Sequence, residues 1–569
     1  MKEGSLMKTI LSLLLAAVLL SGCSSAPVVQ VTEAPTTADT AVTQPPVETI
    51  PAPSYTSRFS EVTAITLSDD GITCDSDGVY TSNDIVYYED KTTYESGNPY
   101  GQGEAHERHS AEEAAAHTVV NITAPGAYRL TGTLFAGQIR VDLGVTAYED
   151  PSAVVELILD NVDITCTVAP AIVFVNTYEC DGNWSADTAK PDVDTSAAGA
   201  NLILEGSNTV SGSHVAKIFK DKEGEKKLWK QDGAIYSYMS MNVFGPGSLE
   251  LTADNEGLDT ELHLTINGGD IRILSDNDGI NTNEDGVSVT TINGGNLTIY
   301  AGLGAEGDGI DSNGYLVING GFLLACAKPI SDAGLDSDLG SFIHGGTVIA
   351  MGSAMDWAES DSRQVTMNLQ FASRQKAGSE ITITKEDGTE IFRFASDSEY
   401  DRGFSSLILS HPQFTQGSTC HIYVDGVQMA YTGSDLGGFG PGGFGGFGGG
   451  QRPEGMEPGQ MPEGMEPPQD FNSPTFESFQ PGEKPADFNP GNMPQDFQPG
   501  NMPEGFDPGS IPSDIPQGGR GDFDPENLPA DFKPQDEMPQ STFPGTSGEP
   551  STSFYLSDKV NAFSGLTPA

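Results

Sequence analysis

Between residues 254 and 338 the chain repeats one short pattern four times. Each copy has acidic or polar residues, a glycine, a leucine or isoleucine, and then an aspartate or asparagine, and the central glycines are Gly257, Gly279, Gly309 and Gly334. A second motif, Ile-Asn-Gly-Gly with His replacing Asn in the last copy, follows in step at Asn267, Asn293, Asn319 and His344. These positions lie 26, 26 and 25 residues apart. A fixed period of this length indicates stacked supersecondary units.

Short segments that alternate apolar and polar residues fill the chain from residue 119 onwards, without helical periodicity between them. This pattern excludes βαβ units and leaves a sandwich, a propeller or a β-helix. The period near 26 residues favours an all-β parallel β-helix, with a small β-rich unit over residues 365–430. One short helix is predicted upstream, because Ser110 and Glu113 have the spacing of a capping box.

Both ends of the chain have compositions that argue against a folded core. Lys8, an apolar run over 9–20 and Leu-Ser-Gly before Cys23 predict a lipoprotein signal peptide, with Cys23 as the lipidated residue. A Pro/Gly/Met/acidic stretch predicts a disordered tail. We therefore predict the following segments: signal peptide 1–23, Thr/Pro-rich linker 24–58, β-helix domain 59–435, Gly-rich hinge and disordered tail 436–553, and a C-terminal segment 554–569 without assignment.

The chain is strongly acidic, with 81 Asp and Glu against 27 Lys and Arg and a net charge of −54. Nucleic acid is excluded as a partner, because phosphate binding needs a basic surface. The basic insertion between Lys217 and Lys230 is predicted to be a solvated loop. The cysteines after Cys23 are odd in number and lack Cys-x-x-Cys spacing, so neither a disulfide framework nor a zinc site is predicted.

The polar positions of the repeat should form outward-facing columns along one edge of the stack. Carboxylates stacked in this way repel one another. Calcium relieves this repulsion, since it takes six to eight oxygen ligands with tolerant geometry. The alternative is a solvated acidic turn without a specific metal. The candidate ligands are Asp254, Asp259, Asp276, Asp278, Asp308, Asp311, Asp332, Asp336 and Asp338.

The Asn-Gly-Gly-strand-Asp-Gly-Ile repeat, together with the lipoprotein-type start, resembles the extracellular carbohydrate-binding β-helix domains of clostridia and related gut bacteria. The resemblance covers about residues 60–435 and implies a right-handed parallel β-helix like that of pectate lyases. It further implies Ca²⁺ on the helix and a plant cell-wall polysaccharide as partner, either acidic pectic or cellulosic chains. The expected protein is monomeric and lipid-anchored on the outer face of the cell membrane.

Two other functions remain open at this stage, a calcium-dependent pectate lyase and a non-enzymatic adhesin. A β-helix lyase needs Arg or Lys as its base, and Lys328 and Arg272 are the only such residues between 231 and 362. Binding without catalysis is the preferred interpretation. Aromatic rings stack on sugar faces, and the candidate platforms in or just after the repeats are Tyr300, Tyr315 and Trp357.

Overall fold

Strands account for nearly all of the regular structure, as the sequence predicts. The computed structural model describes residues 55–88, 100–101, 106–183, 185–219, 227–330, 332–353, 355–433 and 550–569. Within them are the helix α1 (Ala111–Ala115) and two 3₁₀ turns, at Ala147–Glu149 and Ala186–Thr188. The signal peptide with Cys23, most of the predicted linker and most of the predicted tail lie outside these residues.

The strands fall into three regions along the chain. Those before the repeats are β1 (Val62–Leu67), β2 (Val79–Ser82), β3 (Tyr100–Gly101), β4 (Thr118–Ile122), β5 (Gly126–Leu134), β6 (Gly137–Asp142), β7 (Val155–Cys166), β8 (Ile172–Asn176), β9 (Ala200–Glu205), β10 (Ser207–Gly212), β11 (Val215–Phe219), β12 (Lys227–Gln231), β13 (Gly233–Ser237), β14 (Met241–Phe244) and β15 (Ser248–Ala253). Those of the repeats are β16 (Glu256–Thr260), β17 (Leu264–Ile266), β18 (Asp270–Ser275), β19 (Ile280–Thr282), β20 (Val289–Ile292), β21 (Asn296–Tyr300), β22 (Ile310–Ser312), β23 (Tyr315–Ile318), β24 (Phe322–Cys326), β25 (Leu335–Ser337), β26 (Gly340–Ile343) and β27 (Thr347–Gly352). Those of the C-terminal unit are β28 (Thr366–Gln375), β29 (Ile381–Lys385), β30 (Glu390–Phe394), β31 (Phe404–Ser410), β32 (Thr419–Val424), β33 (Val427–Ala430), β34 (Phe554–Tyr555) and β35 (Val560–Pro568).

Each repeat unit contributes three strands, and each strand pairs in parallel with its counterpart in the next unit. The first ladder is β13, β16, β19, β22 and β25. The second ladder is β14, β17, β20, β23 and β26. The third ladder is β15, β18, β21, β24 and β27. The sheets that these strands form are open in the described residues.

The apolar residue of each repeat points into the core, as predicted. In the first ladder these residues are in register and 0% exposed: Leu258, Ile280, Ile310 and Leu335. The glycine before each of them is required by close packing. A Cβ atom on Gly279 would lie 2.1 Å from Ile299 Cγ2 and 2.6 Å from the Gly309 carbonyl oxygen.

This reason for the repeat glycine differs from the turn conformation that the sequence suggests. Positive φ angles occur instead at the second glycine of the Asn-Gly-Gly motif, with values of 105°, 96°, 83° and 86° along the stack, at Gly269, Gly295, Gly321 and Gly346. A side chain resists that conformation. Each unit therefore turns one corner at a glycine, because a residue with a side chain would resist the positive φ angle found there.

The predicted capping box begins the only α-helix of the described residues. The Ser110 hydroxyl accepts a hydrogen bond from the Glu113 amide at 3.2 Å, and the Glu113 carboxylate accepts one from the Ser110 amide at 2.8 Å. Ala114 is 3% exposed and belongs to the main core. The helix therefore packs against the main core with the strands at the start of the chain.

The last strands of the chain complete the C-terminal unit, which corrects the predicted boundaries. β35 pairs in parallel with β28 and antiparallel with β33, so 554–569 is not a separate segment. The Ser551 amide also donates to the Tyr431 carbonyl oxygen at 3.0 Å, so the predicted tail ends before residue 551. At the other end, the Arg58 amide donates to Glu156 at 2.8 Å, so the fold begins within the predicted linker.

The cysteines of the described residues are free thiols, consistent with the sequence. Cys166, Cys326 and Cys420 are buried, and Cys74 and Cys180 are half-buried. Burial raises the pKa of the Cys166 thiol to about 12, so this thiol stays protonated. None of the helices in the described part of the chain has the length and apolar character that a bilayer crossing demands.

We expect the C-terminal unit to depend on β35. Phe563 is 3% exposed, and its ring centroid lies 4.8 Å from that of Tyr431 and 5.0 Å from that of Phe554. Phe563→Ala should lower the free energy of unfolding of this unit by about 3–5 kcal/mol. Tyr555→Ala is the matched control, because Tyr555 is 54% exposed. Hydrogen exchange in β28 and β33 measures the effect, and equal protection in both variants would contradict the assignment.

Candidate functional site

The predicted acidic columns are in register along the first ladder. Asp259 is the backbone neighbour of Asn281, which neighbours Asp311, which in turn neighbours Asp336. Adjacent strands in a sheet are about 4.8 Å apart. Carboxylate and amide side chains therefore lie above one another along the stack.

The most concentrated part of this edge is a group of three carboxylates, Asp232, Glu256 and Asp259, which we call the acid cluster. One ligand oxygen from each lies within 4.8 Å of the others, and no other group of three Asp, Glu, His or Cys side chains in the described ranges meets this distance. Glu256 is 5% exposed and Asp259 is 0% exposed. The prediction that these positions face outward is therefore wrong at this end of the column.

Lys230 and two asparagines supply positive charge and hydrogen bonds to the acid cluster. The Lys230 ammonium lies 2.8 Å from Asp232 Oδ2 and also donates to Asn283 Oδ1. Asn281 Nδ2 donates to Glu256 Oε1 at 3.1 Å, and Asn283 Nδ2 donates to Asp259 Oδ1. Lys230 is itself 7% exposed, so its charge is balanced inside the protein.

The Glu256 and Asp259 carboxyls hydrogen-bond to each other, which requires a proton on one of them. Three oxygens of this region accept no hydrogen bond from any other donor. They are Glu256 Oε2, Asp259 Oδ2 and Asn281 Oδ1, and all three are buried. A buried acceptor without a partner carries an unrecovered desolvation cost of about 1–3 kcal/mol, and more for a charged group. These oxygens are therefore the positions where a cation would contribute most.

The pKa values of the acid cluster also show that its negative charge is only partly offset. Burial raises the pKa of Asp259 well above its ordinary value, and the Glu256 charge adds to the rise. Burial also raises the pKa of Glu256, while Lys230 opposes that rise. Burial opposes the charge on Lys230, but Asp232 and Asp259 outweigh it and keep the pKa of its ammonium above normal.

The donor set of the acid cluster fits a hard divalent cation. It offers carboxylate and amide oxygens only, which is the chemistry that Ca²⁺ prefers. Asp232, Glu256 and Asp259 would supply the carboxylates, and Asn281 Oδ1 the amide oxygen. A cation there would provide the positive charge that Lys230 alone does not.

Further along the edge, acids come together in pairs. The Asp308 amide donates to Asp278 Oδ1 at 2.7 Å. Burial raises the pKa of Asp308 to about 8 and that of Asp311 to about 7, with the Asp336 charge as a further cause in both. Burial and Asp336 likewise raise the pKa of Asp356 to about 7. These raised pKa values favour the protonated, neutral form of the Asp308, Asp311 and Asp356 carboxyls near neutral pH.

The structure separates the remaining predicted metal ligands from the acid cluster. Asp254 is exposed and accepts hydrogen bonds from Ser213 Oγ at 2.6 Å and from His214 Nδ1 at 2.9 Å. Asp332 Oδ2 accepts from the Gly307 amide at 2.9 Å. Asp276 and Asp338 are exposed. Of the nine candidates, only Asp259 belongs to the acid cluster.

The sequence analysis missed Asp232, Glu256 and Lys230 as site residues. Asp232 precedes Gly233, and Ile235 of that segment is in register with Leu258, so an earlier, longer copy of the repeat was the available signal. The interpretation of the basic insertion as a solvated loop is wrong for Lys230. The end of β12 packs on the ladder, where the Tyr238 hydroxyl donates to the Lys230 carbonyl oxygen at 3.1 Å.

The two candidate lyase bases are already engaged. The Arg272 guanidinium lies 2.5 Å from Glu250 and 4.6 Å from the centre of the Tyr400 ring. Lys328 Nζ donates to the Gly304 carbonyl oxygen. The charged end of each side chain is therefore already bound to a neighbouring group of the protein.

The three aromatic residues predicted to stack on sugar differ in their exposure. Tyr300 is 3% exposed, and its hydroxyl accepts from the Asp397 amide at 2.9 Å, so the prediction that it stacks on sugar is wrong. Tyr315 is half-exposed and its ring centroid lies 6.1 Å from that of Phe342. Trp357 is half-buried.

Parts of the chain are similar to proteins described as carbohydrate-binding. Residues 116–389 match the sequence model of a family described as "Carbohydrate-binding domain-containing protein". A protein of that description from Acetivibrio thermocellus is 31% identical over 155 residues, which are 27% of this chain and 44% of the relative. The match thus spans less than half of that relative's length.

A solved structure was also matched, the gadolinium derivative of a polysaccharide lyase-like protein from C. thermocellum. The match has 22% identity and a TM-score of 0.29, and it covers 50% of this chain and 93% of the other. A TM-score this low carries no argument about this chain.

We expect Lys230 to be essential for stability when divalent cations are absent. Lys230→Met would leave Asp232 without its ion-pair partner, and breaking a buried pair costs about 3–5 kcal/mol. Lys385→Met is the control, because Lys385 is exposed and surface changes stay within about 0.5 kcal/mol. Denaturant unfolding in chelator measures both. Equal losses in the two variants would show that Lys230 does not balance the acid cluster.

The raised carboxyl pKa values set the direction of the pH dependence. Between 3.8 and about 8 the folded protein holds protons that the unfolded chain releases, so stability in chelator should fall as the pH rises from 5 to 8.5. Asp311→Asn should reduce this fall, because the amide cannot ionise and Asn281 already occupies the neighbouring position. The exposed Asp361→Asn should not. Melting temperatures across this pH range measure the slope, and an unchanged slope in Asp311→Asn would contradict the account.

Proposed function

We propose that the chain is a carbohydrate-binding protein of the bacterial cell surface that binds an acidic plant polysaccharide. The observation that carries this proposal is the family match over 116–389, because it covers the repeats and all three ladders. The repeats stack polar side chains in register over several units, and the half-buried Asp311 and Asp336 remain partly exposed along this stack. The preferred ligand is a pectic chain.

The fold that we propose for this domain is a right-handed parallel β-helix. Three in-register parallel ladders, each receiving one strand per unit, support it. So does the positive-φ glycine at the same corner of every unit. A stack of this kind offers a surface that lengthens with the number of units.

Calcium is the proposed cofactor. A chain of net charge −54 repels a polyuronate unless cations lie between them. The buried acid cluster would hold a structural ion. The half-buried Asp311 and Asp336 are the candidates for ions shared with the ligand.

We propose anchoring through lipid on Cys23, so that a monomer faces the outside of the cell membrane. The lipobox-like Leu-Ser-Gly-Cys sequence supports this placement. We propose no lyase activity, because Lys328 and Arg272 are held by other groups. A lyase would produce unsaturated products that absorb ultraviolet light, which gives a direct check.

Retention on insoluble pectin tests the proposal. Wild-type protein should be retained with Ca²⁺ and released by chelator. Asp336→Asn should be retained several-fold less, because it removes a carboxylate that an ion would bridge, whereas the exposed Asp361→Asn should match the wild type. Failure to retain the wild type on pectin and on cellulose would overturn carbohydrate binding. Retention that ignores chelator would overturn only the calcium bridge.

A further inference from the structure

A cavity of about 350 Å³ lies where the repeats meet the C-terminal unit. His344 and Arg363 line it from the repeat side, and Phe414 and Lys559 line it from the C-terminal unit. The cavity lies well away from the acid cluster in sequence and shares none of its residues.

The lining of this cavity opposes the charge of the protein. The chain has three acidic residues for each basic one, yet none of the residues that line the cavity is acidic. Within the described residues, neither Arg363 nor Lys559 forms an ion pair. The nearest acid in sequence, Asp558, accepts a hydrogen bond from the Lys559 backbone amide at 2.8 Å. Two cationic side chains are therefore available to an anion.

His344 stands at the end of an asparagine ladder and breaks it. Asn293 Nδ2 donates to Asn267 Oδ1 at 2.9 Å, and Asn319 Nδ2 donates to Asn293 Oδ1 at 2.8 Å. His344 takes the next position, since its amide donates to the Ile318 carbonyl oxygen at 2.7 Å. Its Nδ1 atom is buried without a hydrogen-bond partner. Burial, with the Arg363 charge, lowers the pKa of His344, so a neutral imidazole faces the cavity.

Aromatic rings lead along the surface to His344. The Tyr315 and Phe342 centroids are 6.1 Å apart, and the Phe342 and His344 centroids are also 6.1 Å apart. All three side chains are half-exposed. A row of partly exposed rings beside a cationic cavity is suited to a ligand with one flat apolar face and one carboxylate.

We propose that this cavity binds the carboxylate of an acidic sugar residue, with Arg363 and Lys559 as its charged partners and the sugar ring beside Phe342 and His344. This inference deepens the proposed function and rests on it for the sugar. Arg363 suits the role because a guanidinium pairs with a carboxylate through two parallel hydrogen bonds. The His344 imidazole lines the cavity and contributes a ring surface to the sugar.

Calorimetric titration of the full chain with D-galacturonate tests the proposal. Arg363→Gln and Lys559→Gln should each weaken binding about tenfold to a hundredfold, the worth of a charge-assisted hydrogen bond. Lys385→Gln removes one exposed positive charge elsewhere and should leave binding unchanged. His344→Asn is the variant that should fold safely, because Asn holds this position in the three preceding units, and it should weaken binding several-fold.

Two further ligands separate the parts of the proposal. D-Galactose lacks the carboxylate and should bind at least tenfold more weakly than galacturonate; equal binding would overturn the role of the charge. Acetate lacks the ring, and binding as tight as that of galacturonate would overturn the role of the sugar. Loss of galacturonate binding equal in Lys385→Gln and Arg363→Gln would overturn the site. Wild-type protein that is retained on pectin but does not bind galacturonate would overturn the cavity and leave the proposed function standing.

Discussion

Parallel pairing in register is the constraint on which the rest of this structure depends. It places each residue directly over its counterpart in the next unit, so a column of leucine and isoleucine becomes a continuous core. The same rule stacks acids over acids. Two carboxylates about 5 Å apart repel by roughly 3 kcal/mol at an effective dielectric constant of 20. The acidic edge must therefore be balanced by something other than its own register.

The structure balances this edge in three ways. Asn281 and Asn283 interrupt the column with amides that donate hydrogen bonds to Glu256 and Asp259. Lys230 brings one ammonium against Asp232. Protons supply the rest, since burial raises the pKa of Asp308 to about 8 and that of Asp311 to about 7. Glu256 and Asp259 each keep a buried oxygen that accepts no hydrogen bond from an amide, hydroxyl or ammonium group, and this is where the three devices fall short. A bound cation would complete the balance.

The sequence predicted the periodic part of the fold because the repeat encodes it directly. The register of Asp259, Asn281, Asp311 and Asp336, the inward apolar positions and the capping box at Ser110 all follow from local spacing. Burial of Glu256 and Asp259 could not be predicted in this way, because the Lys230 side chain that lies against the acid cluster belongs to a segment outside the repeat pattern. The exposure of Tyr300 was predicted wrongly for a similar reason. The alternation of its strand places the side chain on the outer face, but the C-terminal unit packs over that face and buries it. No repeated motif in the sequence indicates that β35 pairs with the strands of the C-terminal unit.

Acidic and basic residues therefore have different proposed roles in this protein. Acids concentrate along one ladder, where a structural cation is proposed, and Arg363 and Lys559 line the cavity beside His344. The most direct test of the central claim is a calcium titration of melting temperature at pH 8, comparing wild type with Asp259→Asn. Calcium should raise the melting temperature of the wild type, by the equivalent of about 2.7 kcal/mol at a hundred times the dissociation constant, and should raise that of Asp259→Asn far less. No calcium-dependent rise in the wild type, or an equal rise in both proteins, would contradict a cation site at the acid cluster.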